Sequence, residues 1–472
     1  MKREHGMNKM HKYTSEKFLT HYSFYGIIPL YAILQQNGAN PMKTTEKTKD
    51  YDAVLALPRY PHKQPRKPNL FWRVLIRLLT LVGMAGTGFT YESEGMENLP
   101  KDEPCLILMN HSCFLDMQIA YRVLFPRPFT IICTSDAFVG LWGLMEWVLR
   151  AIGCIPTQKF VTDLGLIQDM NYCFKTLKTS VLMYPEASYS FDGTCTPLPR
   201  KMGVLLKKFN VPVVMIETFG AFSRNPLYNE LQVRKGVKVS ARVKLLYTRQ
   251  QIQELSVQEL SDGLDEAFGF DHFRWQKEQN LEIHDSFRAD GLHRILYKCA
   301  HCGTEGQMVG KGTTLTCKHC GKAWELTPLG ELKAVEGETE FSHIPDWYAW
   351  ERQQVAREIL EGTYRLDIDV EIAMLVDFSA IYKVGQGHLT HNREGFHLTG
   401  CDGRLDYIQK PQACYGLYAD YYWYEIADTI CIGDNEKLYY CFPKKDAMVA
   451  KTRLAVEEMY KQYKSKKRKK DS

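Results

Sequence analysis

Two sets of side chains in this sequence have the types and spacing to do chemistry. In "NHSCFLD", which begins at Asn110, His111 and Asp116 stand five residues apart where the apolar run Cys105 to Met109 ends. Positions i and i+5 do not share a helix face, whereas i+3 and i+4 do. The pair meets only if His111 occupies the turn before a helix and Asp116 lies in its first turns. Imidazole beside carboxylate at a strand-to-helix junction prepares a general base. For these two residues alone, a surface histidine and a helix-start aspartate that never touch is the plainer alternative.

The second set is sulfur. "CAHC" (Cys299 to Cys302) and "CKHC" (Cys317 to Cys320) are two Cys-x-x-Cys knuckles separated by fourteen residues. Each knuckle offers two thiolates, and together they close a tetrahedral site with no open position, the pattern of a structural zinc. Gly303 and Gly321 follow the knuckles and let the backbone turn under an ion. Paired knuckles disfavour a redox Cys-x-x-Cys. His301 and His319 read as exposed rather than ligating. The unit resembles a zinc ribbon, serving as a folding staple or a protein contact.

Three further stretches follow the histidine. "GCIPTQK" ends in Lys159. "YPEASYSFDG" offers Pro185, Glu186 and Ser188 directly after an apolar strand. "VPVVMIE" opens a buried strand with Pro212. In order and spacing, the four blocks resemble those of the glycerolipid (lysophosphatidic acid) acyltransferases. The family pattern is Asn-His-x-x-x-x-Asp, Gly-x-Ile-Phe-x-x-Arg, Phe-Pro-Glu-Gly-Thr-Arg-Ser and Val-Pro-Val-x-Pro. The resemblance covers roughly residues 70 to 268. It implies that His111 is the base, that Asp116 orients it, and that Asn110, Lys159, Pro185, Glu186 and Ser188 contribute to substrate binding. Backbone amides at the start of the helix after His111 would receive an oxyanion or an acceptor phosphate. Two departures stand out: Lys159 replaces an arginine, losing its bidentate fork, and Tyr189 replaces the arginine associated with acceptor phosphate. Arg200 and Lys201 are candidates to restore that charge.

The elements that must position these residues follow from patterning. Residues 67–270 alternate short apolar runs with helical patterns, an α/β arrangement in which the resemblance implies a mixed sheet flanked by helices. Candidate strands are "CLILMN", "FTIICTS", "SVLMYPE", "VPVVMIE" and "KVSARVKLLY"; Thr248 and Ser256 start capping boxes. A leader is expected over 1–66, a connector over 271–298, the ribbon over 299–326 and a second connector over 327–380. A β-rich domain over 381–472, pleckstrin-homology-like or simply accessory, ends in a closing helix and a basic tail.

Composition is globular, with 45% hydrophobic and 24% charged residues, and the net charge of +5 does not argue for nucleic acid. Fourteen cysteines without a secretory signal suggest reduced thiols and a cytoplasmic protein. "NLFWRVLIRLLTLVGMAGTGFTY" is interrupted by Arg73 and Arg77 and suits an amphipathic helix at a membrane surface. The expected location is peripheral, on the inner face of an anionic membrane, aided by the basic residues after position 460. The expected reaction moves a fatty acyl group from acyl-CoA or acyl carrier protein to a lysolipid hydroxyl, 1-acylglycerol 3-phosphate first. A non-phosphate acceptor and a catalytically silent lipid-binding scaffold are the alternatives. No Gly-x-Ser-x-Gly elbow supports a serine esterase.

Overall fold

The computed structural model describes residues 45–471 apart from 141–142, 162, 230–231, 424–425 and 446–447, with only the backbone of Tyr422 and of 466–471. The apolar stretch Phe18 to Leu34 and the basic side chains beyond Ser465 lie outside the described residues and side chains.

Residues 46–55 do not form a leader. β1 (Glu46–Thr48) pairs in parallel with residues Ile381 to Lys383. The helical turn after it buries Tyr51 and Val54 in the C-terminal core. An edge strand satisfied by its partner, with apolar anchors behind it, holds this segment in place. α1 (Leu70–Gly83) follows, capped by the Asn69 side chain, which accepts the Trp72 N–H at 3.0 Å.

β2 (Thr90–Glu94), β3 (Leu106–Met109), β4 (Phe129–Thr134), β5 (Cys154–Thr157), β6 (Ser180–Met183), β7 (Val213–Phe219) and β8 (Ser240–Tyr247) form one sheet in the order β2-β8-β7-β3-β6-β4-β5. Neighbours are parallel except β7 with β8. The five expected strands are present. β2 and β5 were not anticipated, because "TYESE" is fully exposed and "CIPT" reads as a turn. The apolar run of β3 feeds two cores: Leu106 and Leu108 pack on one face of the sheet, Ile107 and Met109 on the other. Strands buried on both faces read as continuous apolar runs for this reason. Both capping boxes form, at Thr248 and Ser256. α2 (Asp116–Leu124) follows β3, and α3 (Leu144–Ala151) precedes β5.

The expected connectors are structured. α4 (His272–Glu278) lies in the first, with His272 and Phe273 buried. A ribbon of β9 (Met308–Lys311), β10 (Thr314–Cys317), β11 (Ala323–Leu326) and β12 (Leu332–Ala334) forms an antiparallel sheet that extends past residue 326. The second connector contains the 18-residue α5 (Ile344–Glu361), whose Trp347 meets Trp324 of the ribbon edge-on at 4.9 Å.

The C-terminal sheet begins earlier than residue 381. β13 (Leu366–Leu375), β14 (Ile381–Asn392), β15 (Gly395–Gly400), β16 (Leu405–Gln409), β17 (Tyr418–Trp423), β18 (Ala427–Gly433) and β19 (Leu438–Pro443) order as β16-β15-β14-β13-β19-β18-β17, with β1 on β14. α6 (Val449–Asp471) closes the chain and buries Val449, Leu454 and Met459; it packs beside α5. One face of this sheet, including Ala373, Leu375, Tyr440 and Phe442, packs with Val139 and Phe160 of the α/β unit. The sheet is therefore a wall of the region around β4 and β5 rather than a detached accessory.

Candidate functional site

β3 ends at Met109, and the chain turns through Asn110–Leu115 before α2 starts at Asp116. The turn brings His111 Nδ1 to 2.9 Å from Asp116 Oδ2. The same oxygen accepts the Ser112 N–H at 2.7 Å and the Cys113 N–H at 3.1 Å. Three convergent donors mark that oxygen as an acceptor, so His111 Nδ1 carries the proton and Nε2 keeps its lone pair. These two amides are engaged by Asp116. Both lie in the turn before the helix and are not available for an oxyanion or phosphate.

Burial lowers the His111 pKa well below its ordinary value, and the Lys159 ammonium lowers it further. The imidazole is thus neutral at neutral pH, the form a base requires. Burial pushes the Asp116 carboxyl up, against the two backbone N–H bonds that favour its charge. Tyr184 stacks on one side of the imidazole at 4.1 Å, and the ring centroid of Tyr189 lies 3.9 Å away. The aromatic contacts fix the ring plane, while Asp116 fixes its rotation.

Behind the histidine is a buried polar network. Asn110 Oδ1 accepts the Thr218 N–H at 2.9 Å, and Asn110 Nδ2 donates to Ser112 Oγ at 3.0 Å. Ser112 Oγ also meets Thr218 Oγ1 at 2.9 Å and His272 Nε2 at 3.3 Å. Glu186 Oε1 accepts the His111 N–H at 2.9 Å, while its Oε2 accepts the Thr196 N–H at 2.9 Å. Burial raises the Glu186 carboxyl to about 7.

His111 opens into a cavity of about 360 Å³ with a mainly apolar wall that includes Ile131, Met145, Leu149, Phe160 and Met183. That volume is in the range of small-molecule sites. Among the expected binding residues, Lys159 and Pro185 line it. Asn110, Glu186 and Ser188 do not; they are buried supports of the loops that carry His111 and Tyr189. Ser188 Oγ accepts from Arg453 at 3.4 Å, a contact to α6. Arg200 and Lys201 are exposed and outside the lining, because they sit at the solvent-facing entry to the helix Met202–Phe209. They do not restore the missing charge within the cavity.

Sequence reasoning missed the opposite wall. Tyr415, Tyr418, Asp420, Tyr421 and Trp423 line the same cavity from the C-terminal sheet. The register of β17 shifts between Asp420 and Trp423, so side chains from both faces reach it. Asp136, just after β4, accepts from the Tyr418 hydroxyl, from Trp423 Nε1 at 3.1 Å and from the Tyr440 hydroxyl at 3.3 Å. The available signal was a single carboxylate, Asp420, amid the aromatic run "YADYYW".

At the ribbon, the sulfur atoms of Cys299, Cys302, Cys317 and Cys320 all lie within 4.8 Å of one another. Cys299 to Cys320 and Cys302 to Cys317 are each 3.8 Å. Thiolates at about 2.3 Å from a tetrahedral ion stand about 3.8 Å apart. Gly303 and Gly321 have φ of 74° and 77°, as the turns require. The group can hold a metal ion.

Residues 90–216 match the family model described as Acyltransferase. A chloroplastic 1-acyl-sn-glycerol-3-phosphate acyltransferase of Brassica napus is 28% identical over 29% of this chain and 39% of its own. The 1-acyl-sn-glycerol-3-phosphate acyltransferase alpha of Mus musculus is 24% identical over 35% of this chain and 56% of its own. The chain thus spans about half the length, or less, of these curated relatives. The crystal structure of the 1-acyl-sn-glycerophosphate acyltransferase PlsC from Thermotoga maritima aligns at a TM-score of 0.33 and 16% identity, covering 53% of this chain and 92% of that one. By its matched region the chain carries an acyltransferase domain. Within that region it is similar to the glycerolipid acyltransferases.

Proposed function

We propose that the protein transfers a fatty acyl group from an acyl thioester, acyl-CoA or acyl carrier protein, to a hydroxyl of a lysolipid. The observation that carries this reading is the His111–Asp116 pair at 2.9 Å, opening on an apolar cavity. His111 Nε2 takes the proton as the acceptor oxygen attacks the thioester carbonyl. The new C–O bond forms, the C–S bond breaks, and the imidazolium returns the proton to the leaving thiolate. Asp116 holds the tautomer and stabilises the imidazolium. Cys113 also lines the cavity, but burial and Asp116 push its thiol well above the ordinary range, which opposes a covalent acyl-cysteine. The relatives named above make 1-acylglycerol 3-phosphate the first acceptor to assay, with phosphatidic acid as product.

The four-cysteine group fits zinc best, since an all-thiolate tetrahedral set favours that ion and leaves no position for substrate. It would hold the ribbon against α5 and contribute no step to the reaction.

A peripheral membrane position is supported by α1. Leu70, Phe71, Val74, Leu78, Leu81 and Val82 form one exposed stripe on it. Arg73 and Arg77 turn inward, Arg73 to the Pro126 carbonyl at 2.7 Å and Arg77 over the Phe125 ring at 6.0 Å. Trp147 of α3 is also exposed, 5.6 Å from Trp72, on the helix whose Met145 and Leu149 line the cavity. An acyl chain leaving the bilayer would meet the cavity wall directly. Among the described residues no helix is long and apolar enough to cross a membrane.

The test is acyl transfer by the purified chain with labelled acyl-CoA. His111→Ala should lower turnover about 10²–10⁴-fold with the fold retained, and Asp116→Asn should also cost heavily. A folded His111→Ala variant at the parental rate would refute the assignment.

A further inference from the structure

The polar end of the cavity is made by two segments far apart in the chain. Lys159 comes from the loop after β5, and Tyr418 and Asp420 come from β17. The Lys159 ammonium stands 4.1 Å over the Tyr418 ring, so its charge is already shared with an aromatic face. Asp420 Oδ1 accepts the Tyr421 N–H at 2.9 Å. Lys159 favours the ionised form of Asp420, while burial raises that carboxyl to about 6. It is therefore mostly charged at neutral pH.

Among the described lining residues the ionisable carboxylates and cations are Asp116, Lys159 and Asp420. Asp116 Oδ2 is occupied by His111 and two amides, and its Oδ1 is buried away from solvent. An incoming head group thus meets one carboxylate and one engaged ammonium. Among the described residues no arginine lines the cavity; Tyr189 lies against His111 where the family pattern has one, and Arg200 is outside. A phosphate monoester needs concentrated positive charge and is best held by a guanidinium fork. Here it would be placed beside a carboxylate, which opposes it. A hydroxyl suits both neighbours, donating to Asp420 and accepting from Lys159 in charge-assisted bonds. The tyrosine and tryptophan side chains around them offer flat apolar faces with polar tips, suited to a head group that mixes C–H and O–H surface.

We propose that Asp420 and Lys159 form the head-group subsite of the acceptor, and that it selects a neutral head group with free hydroxyls over a phosphate monoester. The glycerol of a monoacylglycerol and the sugar of a monoacyl glycolipid share that chemistry. The proposal rests on the acyl-transfer reading for its context and places specificity on the C-terminal sheet.

The experiment uses the full chain, oleoyl-CoA and three acceptors: monooleoylglycerol, a monoacyl galactosylglycerol and lysophosphatidate. The neutral acceptors should be used with kcat/KM at least about tenfold above lysophosphatidate, and comparison between them identifies the source of the head group. Asp420→Asn should lower use of the neutral acceptor, mainly through KM, and narrow the preference at least about fivefold. Asp420→Ala serves if the first variant fails to fold. Preference for lysophosphatidate, or an unchanged ratio in a folded Asp420 variant, would overturn the proposal. Trp fluorescence titration of His111→Ala protein with the same acceptors separates the two readings. A neutral preference in binding that Asp420→Asn reduces, without turnover by the parent, would sustain the subsite and sink the transferase reading. Equal binding of all three acceptors would sink the subsite.

Discussion

His272 Nε2 reaches Ser112 Oγ behind the turn that carries His111, and its Nδ1 makes no hydrogen bond. Burial pulls its pKa down to about 3 from an ordinary 6.5. Between those values the unfolded chain binds a proton that the folded chain does not. Stability therefore falls as pH drops below 6.5 and stops falling from this source only below about 3. His391, buried in the C-terminal sheet, acts in the same direction. His272→Asn should lower the melting temperature at neutral pH yet shrink the loss between about pH 7 and about pH 5. Identical slopes in wild type and variant would show that His272 is not a source of the acid sensitivity. The same residue illustrates why part of the site was hidden in the sequence. His111 and Asp116 stand within one short motif, whereas His272 meets Ser112 across 160 residues. Nothing local in "GFDHFRW" points to that contact.

At the scale of elements, two predictions concern α1 and the ribbon. Each large apolar side chain of the α1 stripe is worth about 1.5–3 kcal/mol when fully buried in an apolar phase. Phe71→Asp with Leu78→Asp should cut partitioning onto anionic vesicles by at least about tenfold, since about 1.4 kcal/mol is a factor of ten. Both residues are more than half exposed, so the melting temperature should barely move. Unchanged vesicle binding would refute a lipid-facing α1. The ribbon should contain one zinc per chain by elemental analysis. Cys302→Ser or Cys320→Ser should lose the metal and increase hydrogen exchange around Leu315, Trp324 and Trp347, which share one core. Full zinc content in either variant would contradict the four-thiolate site. Turnover should persist, because the ribbon residues do not line the cavity.

At the scale of the whole molecule, Asp136 joins the α/β unit to the C-terminal sheet. One carboxylate oxygen accepts from Tyr418, Trp423 and Tyr440. Asp136→Ala leaves three donors without this acceptor, at about 1–3 kcal/mol for each that stays buried and unsatisfied. The variant should melt lower and bind lysolipid more weakly, as β17 moves from the cavity. Asp136→Asn, which keeps an acceptor oxygen, should recover part of both. A stable Asp136→Ala protein with parental acceptor KM would mean that the sheet does not shape the site.

The sequence by itself determined the local chemistry. The strand-turn-helix spacing of His111 and Asp116, the paired Cys knuckles and the two capping boxes each depend on side chains within about one or two turns of backbone. The apolar runs of β3, β4, β6 and β7 were legible because strands covered on both faces carry few polar interruptions. β5, α4 and α5 were not, since mixed short patterns become regular only when neighbouring elements bury them. Tertiary structure alone decided that Asn110, Glu186 and Ser188 support loops, and that Arg200 and Lys201 stand outside the cavity. It also made the C-terminal sheet a wall of the site: Asp136 draws Tyr418 and Trp423 across nearly three hundred residues, at separations of 282 and 287. Such contacts arise from packing one whole sheet against another. Periodicity along the chain carries no record of which face meets which.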